Sequence, residues 1–95
     1  MTADAQARTE VRPRLAPHVR LSFDARRQRW VVLAPERLLL PDETAVEVLR
    51  RCTGGASLQD ISNDLAREFD ASPEEIFVDV EAMLRDLAEK GIIVA

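Results

Sequence analysis

Apolar and polar residues alternate from Val19 onward, with Val19, Leu21 and Phe23 separated by Arg20, Ser22 and Asp24. A period of two puts one set on each face of an extended chain, so a half-buried strand is expected here. The polar run 24–29 divides it from Trp30-Val31-Val32-Leu33, a β-branched and aromatic stretch that suits the returning arm of a hairpin. Pro35 lacks a backbone donor and fits poorly inside a sheet. Residues 36–40 are therefore expected to form a third short strand, ended by Pro41 and lying on a sheet edge.

Beyond Pro41 the period lengthens. Asp42 can cap a helix on which Ala45, Val48, Leu49 and Cys52 share a face, and Gly54-Gly55 stops it. Ser57 and Asp60 have the spacing of a capping box, and Leu58, Ile61, Leu65 and Phe69 then recur at the helical period, helped by Ala66. Ser72-Pro73-Glu74-Glu75 starts a third helix, with serine at the cap, proline at the first position and glutamate at the third, so a reciprocal exchange of cap hydrogen bonds is expected. This helix should run to about Lys90, where Gly91 suits a left-handed turn and Ile92-Ile93-Val94 forms an apolar tail that packs back on the core.

On a helical wheel, Ile76, Val80, Met83 and Leu87 form the centre of the third helix's apolar stripe, and Phe77, Leu84 and Ala88 widen it to one side. Each of these is first of all a packing residue, but the stripe is wider than a small core requires. The flank of Phe77 and Leu84 is thus a candidate groove wall beside an unpaired strand. Residues 1–17 show no sustained period and contain two prolines, so they are read as a flexible N-terminal arm before one domain at 18–95. The expected class is α+β, winged helix-turn-helix-like, with a three-stranded antiparallel sheet followed by a three-helix bundle.

At 95 residues the chain has room for one hydrophobic core. No apolar run is long enough to cross a bilayer, and residues 1–12 lack the apolar stretch of a secretory signal, so a cytoplasmic location is expected. The net charge of −4 disfavours phosphate backbones and anionic lipid, which argues against nucleic-acid and membrane partners. Catalytic chemistry is poorly served. The one histidine, His18, sits where the arm meets the first strand, and the one cysteine, Cys52, falls on the inner face of the first helix. Together they fall short of a metal shell, so neither a metal nor a cofactor is expected and the chain reads as non-catalytic. What remains is surface for a partner. An edge strand through Arg37, Leu38, Leu39 and Leu40 can accept a strand from a peptide; the alternative is that Leu38 and Leu40 are core and Leu39 is covered by the tail or by a second chain.

Several stretches carry a family resemblance: Arg14-Leu15-Ala16-Pro17, Arg29-Trp30-Val31-Val32-Leu33-Ala34-Pro35-Glu36-Arg37, Leu40-Pro41-Asp42-Glu43-Thr44-Ala45, Cys52-Thr53-Gly54 and Gly91-Ile92-Ile93. Together they resemble the pyrroloquinoline quinone biosynthesis protein D family, over nearly the whole chain from Arg12 onward. The resemblance implies a winged fold of three strands and three helices that acts as a peptide chaperone. In such domains a precursor peptide adds a strand against the third strand and packs on the third helix. That points to Arg37, Leu38, Leu39 and Leu40, and to Phe77, Val80, Glu81 and Leu84, with Leu84→Asp expected to weaken peptide binding without unfolding the domain. It also implies two partners: a precursor peptide carrying a glutamate and a tyrosine, and a radical S-adenosylmethionine enzyme that joins them. With Cys52 alone, this chain cannot ligate an iron–sulfur cluster, so the redox chemistry would belong to that enzyme.

Two other readings compete with the peptide chaperone. A winged-helix DNA-binding regulator would use the second or third helix in a groove and Arg26, Arg27 and Arg29 on phosphates. A homodimer could pair through the apolar third strand and tail.

Overall fold

A computed structural model describes residues 11–95. The chain runs β1 (Arg14–Leu15), β2 (Arg20–Asp24), β3 (Arg29–Ala34), β4 (Arg37–Leu39), α1 (Glu43–Arg50), α2 (Leu58–Phe69), α3 (Pro73–Glu89) and β5 (Ile93–Val94). Strands β2, β3 and β4 form an antiparallel sheet in that order, while β1 and β5 make a separate antiparallel pair. The mixed α+β class, with its three-stranded sheet and three helices, is as the periodicity predicts. The second, two-stranded sheet is an addition.

Alternation along the strands builds one apolar face. Leu21 stands opposite Val32, and Val32 opposite Leu39, so the three form a row on one side of the sheet. Val32 is buried in the core, and Leu21 and Leu39 pack at its margin. The helices supply the rest of the core, chiefly Val48, Leu49, Ile61 and Leu65.

Local capping explains where the helices begin. Asp42 accepts a hydrogen bond from Ala45 N at 2.8 Å, which satisfies one of the unpaired donors at the start of α1. At α2 both halves of the capping box form: Asp60 N donates to Ser57 Oγ, and Ser57 N donates to Asp60 Oδ2, each at 3.0 Å. At α3 the reciprocal exchange is absent. Ser72 Oγ instead donates to the Glu74 carboxylate at 2.7 Å, and the helix starts on the pre-set backbone of Pro73 alone. Two calculated faces also shift. Val46 is buried on α1 while Ala45 is only half-buried, and Phe69, at the last turn of α2, is 54 % exposed.

The end of α3 shapes the whole molecule. Gly91 takes φ of 77°, its N–H donates to the Ala88 carbonyl, and Ile92 N–H donates to the Leu87 carbonyl, the bond pattern of a Schellman turn. The reversal drives Ile92 and Ile93 into the core, with Ile92 fully buried. Strand β5 then pairs with β1, Arg14 opposite Val94 and Leu15 opposite Ile93.

This pairing corrects the expected arm. Residues 11–17 are not a loose leader but a strap: Gly54 N donates to the Pro13 carbonyl, Leu58 N to the Val11 carbonyl, and Ala16 N to the Ile92 carbonyl. Pro13 is among the fully buried side chains. The remainder of the expected arm, residues 1–10, lies outside the described residues.

One polar hub links α1 to α2. Arg51, at the end of α1, donates to Glu47 at 2.8 Å, to Asp64 at 2.6 Å, and to Glu68. Its hydrogen bond holds the Asp64 carboxyl below the usual value of 3.8. A depressed carboxyl stabilises the fold above its unfolded pKa, and that contribution is lost as pH falls through the folded value. Replacing Arg51 by Met should therefore lower stability at neutral pH and make the loss of stability below about pH 5 shallower, as read by urea unfolding across pH. In the same assay Ile92→Ala should cost about 2–4 kcal/mol, whereas Val78→Ala, at a site 63 % exposed, should change stability by less than about 0.5 kcal/mol.

Candidate functional site

The outer side of β4 carries no paired strand among the described residues, because β4 bonds only to β3. Its position follows from two prolines. Pro35 and Glu36 form a two-residue loop between Ala34 and Arg37, and Pro41 stands two residues after the strand ends. The loop also fixes which backbone groups are free. A two-residue hairpin turn is closed by the hydrogen bond between its flanking residues, here Ala34 and Arg37. Bonded and non-bonded pairs alternate on an antiparallel ladder, so Val32 with Leu39 is the next bonded pair. The N–H and C=O of Leu38 consequently point away from β3, toward an incoming strand.

The side chains around this edge are apolar and open. Leu38 is 42 % exposed and Leu40 is 51 % exposed, while Leu39 turns inward beneath them. Arg37 reaches across to donate to the Lys90 carbonyl at the end of α3, which pins the start of β4 against that helix end. Arg37, Leu38 and Leu39 thus form the strand and Leu40 follows it, with Leu38 and Leu40 open and Leu39 inward.

The α3 half of the expected site is arranged differently. Val80 and Leu84 are buried at 4 % and 7 % exposure and belong to the core, and Phe77 packs half-buried at its margin. The stripe is centred between Val80 and Leu84, which leaves less of its width for a groove than the wheel implies. Ile76, Val80 and Met83 line a small gap of about 70 Å³ against Thr44 and Val48 of α1 and Leu65 of α2. Glu81 and Leu84 border a separate cleft of about 210 Å³ formed with Val11, Pro13, Leu58 and Val94. Val11 and Pro13 belong to the strap, Val94 to the tail and Leu58 to α2, and no residue of β4 borders this cleft. Sequence reasoning missed Val11 and Pro13 because nothing periodic marks a strap that pairs with the far end of the chain.

The residues with chemical potential are placed inertly. Burial pushes the Cys52 thiol up to about 11, and its Sγ donates to the Val48 carbonyl at 3.3 Å, so little thiolate forms near neutrality. His18 lies exposed in the turn between β1 and β2, with φ of 67°. No helix among the described residues is long and apolar enough to cross a membrane. Of the hairpin arginines, Arg27 pairs with Asp24 at 2.6 Å and Arg29 donates to the Pro41 carbonyl at 2.9 Å, so these two are committed to the fold rather than to phosphates.

Sheet and helices together define a small winged domain in which the outer edge of β4 is unpaired among the described residues. The family model described as Coenzyme PQQ synthesis protein D (PqqD) matches residues 29–93. The chain is 52 % identical over 82 residues to the PqqA binding protein of Rhodopseudomonas palustris (strain BisB5), covering 86 % of this chain and 80 % of that one. It is also similar to the solution NMR structure of the PqqD truncation of Methylobacterium extorquens PqqCD, which represents a functional, stand-alone recognition element for ribosomally synthesised and post-translationally modified peptides. That match has 40 % identity, a TM-score of 0.74, and coverage of 87 % of this chain and 88 % of that one. Lasso peptide synthetase B1, complexed with the leader peptide, shares the fold at a TM-score of 0.75 and 21 % identity, over 90 % of this chain and all of that one. The chain belongs to the PqqD family.

The burial of Leu84 reverses the expectation that Leu84→Asp leaves the fold intact. A carboxylate at a site 7 % exposed lacks solvent to support it. Leu84→Asp should lose more than about 3 kcal/mol or unfold outright, measured by circular dichroism during thermal melting.

Proposed function

We propose that this chain is a non-catalytic carrier in pyrroloquinoline quinone biosynthesis, which binds a precursor peptide as an added strand on β4 and presents it to a modifying enzyme. The observation that carries the reading is the free β4 edge, where the Leu38 backbone and the exposed Leu38 and Leu40 side chains lie together without a partner among the described residues. Backbone bonds along an edge supply affinity that is largely indifferent to sequence, and the flanking leucines select apolar side chains. Family membership supports the same reading, since the relatives are named for binding PqqA and the Methylobacterium domain is described as a recognition element.

Within this reading the peptide carries the glutamate and tyrosine that the enzyme joins, the enzyme is of the radical S-adenosylmethionine type, and the encounter takes place in the cytoplasm. The carrier contributes by restricting the peptide beforehand, so less freedom is lost when the enzyme engages it. Leu38 and Leu40 meet the peptide, Arg37 fixes the start of the strand, and Leu39 supports the edge from the core side. On α3, Phe77 at the core margin is available to pack against the peptide, whereas Val80 and Leu84 act from beneath as support. The acidic face of α3, with Glu74, Glu75, Asp79 and Asp86, disfavours the alternative of groove binding to DNA.

Proline at position 38 provides the sharpest test. It removes an outward N–H without touching the bonds to β3, a position that edge strands tolerate. Leu38→Pro should stay folded and bind the precursor peptide about fivefold or more weakly than Leu38→Ala, by calorimetric titration. Leu39→Pro should break the hairpin itself. Equal binding by a folded Leu38→Pro and by Leu38→Ala would rule out strand addition on this edge.

A further inference from the structure

A second surface lies at the other end of the sheet. The apolar face of the hairpin continues past the core, where Phe23 stands opposite Trp30 in the register. Their rings meet edge to face, 5.6 Å apart and 75° inclined, and the Arg50 guanidinium sits 5.6 Å from the Trp30 ring centre. Facing this platform are the start of α1 and the end of α2, and between them opens a cleft of about 670 Å³. Phe23 and Phe69 both border it, 48 % and 54 % exposed. A chain this small gains nothing in stability from two phenylalanines left half in water, and such apolar exposure in a concave site marks a docking surface.

The rim has a definite sign. Asp42, Glu43, Glu47 and Glu68 line the cleft, and Arg29 is the only basic residue among its lining side chains. Arg51 engages Glu47 and Glu68 by hydrogen bonds, Arg50 over Trp30 pairs with Glu47 at 3.7 Å, and Arg29 is bonded to the Pro41 carbonyl. Asp42 and Glu43, both exposed at the first turn of α1, therefore set the field at the mouth. The helix N-terminus offsets only about half a charge against two carboxylates. The cleft remains negative.

We infer that this aromatic, acidic cleft docks the enzyme that modifies the carried peptide, through a segment bearing a bulky apolar side chain flanked by lysine or arginine. The apolar group would enter between Phe23 and Phe69, and the basic flank would meet Asp42 and Glu43. None of Arg37, Leu38, Leu39 and Leu40 borders the cleft, so peptide and enzyme can be held at once. A carrier that hands a peptide to a second protein needs two such surfaces, and in this respect the inference rests on the peptide-carrier reading.

The test uses the full chain, isotope-labelled, with the purified modifying enzyme and the precursor peptide titrated separately, and with two variants, Phe69→Ser and Glu43→Lys. Both positions are exposed, and each variant's amide spectrum verifies its fold. Enzyme addition should shift amides at Trp30, Glu43, Glu47 and Phe69, and each variant should bind enzyme about tenfold or more weakly. Glu43→Lys should also lose part of the salt dependence, while both variants bind peptide as the parent does. The inference is overturned if the parent chain does not bind the enzyme, or if both variants bind it unchanged. It also fails if enzyme shifts only residues 37–40, if the peptide itself fills the cleft, or if the cleft amides shift with protein concentration alone, which would assign it to a second copy. Failure of the peptide to bind the parent chain would instead count against the carrier reading and leave the enzyme titration readable.

Discussion

Ile92 can reach the middle of this molecule only because Gly91 turns the chain back on itself, and much of the architecture depends on that reversal. With φ of 77°, Gly91 occupies backbone space that other residues enter at a cost, and the turn closes two hydrogen bonds that would otherwise be left unmade at the end of α3. Ile92 and Ile93 then join the cluster that also contains Val32 from the sheet and Ile61 from α2. The same two residues hold the strap: Ile93 stands opposite Leu15, and the Ile92 carbonyl accepts from Ala16. A single turn thus couples sheet, helices, strap and tail.

That coupling frees β4 for another use. The tail does not pair with the sheet edge, because β5 takes β1 as its partner in a separate sheet. Arg37 holds the start of β4 to the end of α3, and Pro41 prevents the strand from running on. The edge is kept rigid and short. Exposed apolar edges invite unwanted pairing, and a three-residue strand opened by a charged side chain limits that hazard while leaving Leu38 and Leu40 available.

The elements most legible in the sequence were those written in local chemistry. Ser57 with Asp60, Pro73, and Gly91 mark helix ends through neighbours a few residues away, and alternation from Val19 marks the hairpin. The strap was illegible because its partners are distant: Arg14 pairs with Val94, and Pro13 with Gly54, and no local period records such a match. The site divided in the same way. The bounds of β4 could be read from Pro35 and Pro41, but the three leucines did not by themselves say which of them would be exposed. The α3 half could not be read. Whether Leu84 is wall or core depends on where α3 rolls against α2 and the strap, and a wheel fixes the width of a stripe but not its bearing. Phe69 failed for a related reason, since the helical period places it inward while the last turn of α2 has already passed beyond the core.

The brevity of β4 also bears on time. A strand of three residues, of which one alternate position faces outward, offers an incoming chain only a few backbone bonds, each contributing about 1 kcal/mol net. Bonds so few cannot hold a peptide for long by themselves, and tightness among related complexes is set mainly by how slowly they come apart. For the strand addition proposed above, so short an edge favours rapid uptake and release over long retention. Turnover of the cargo, rather than its storage, is what this geometry favours.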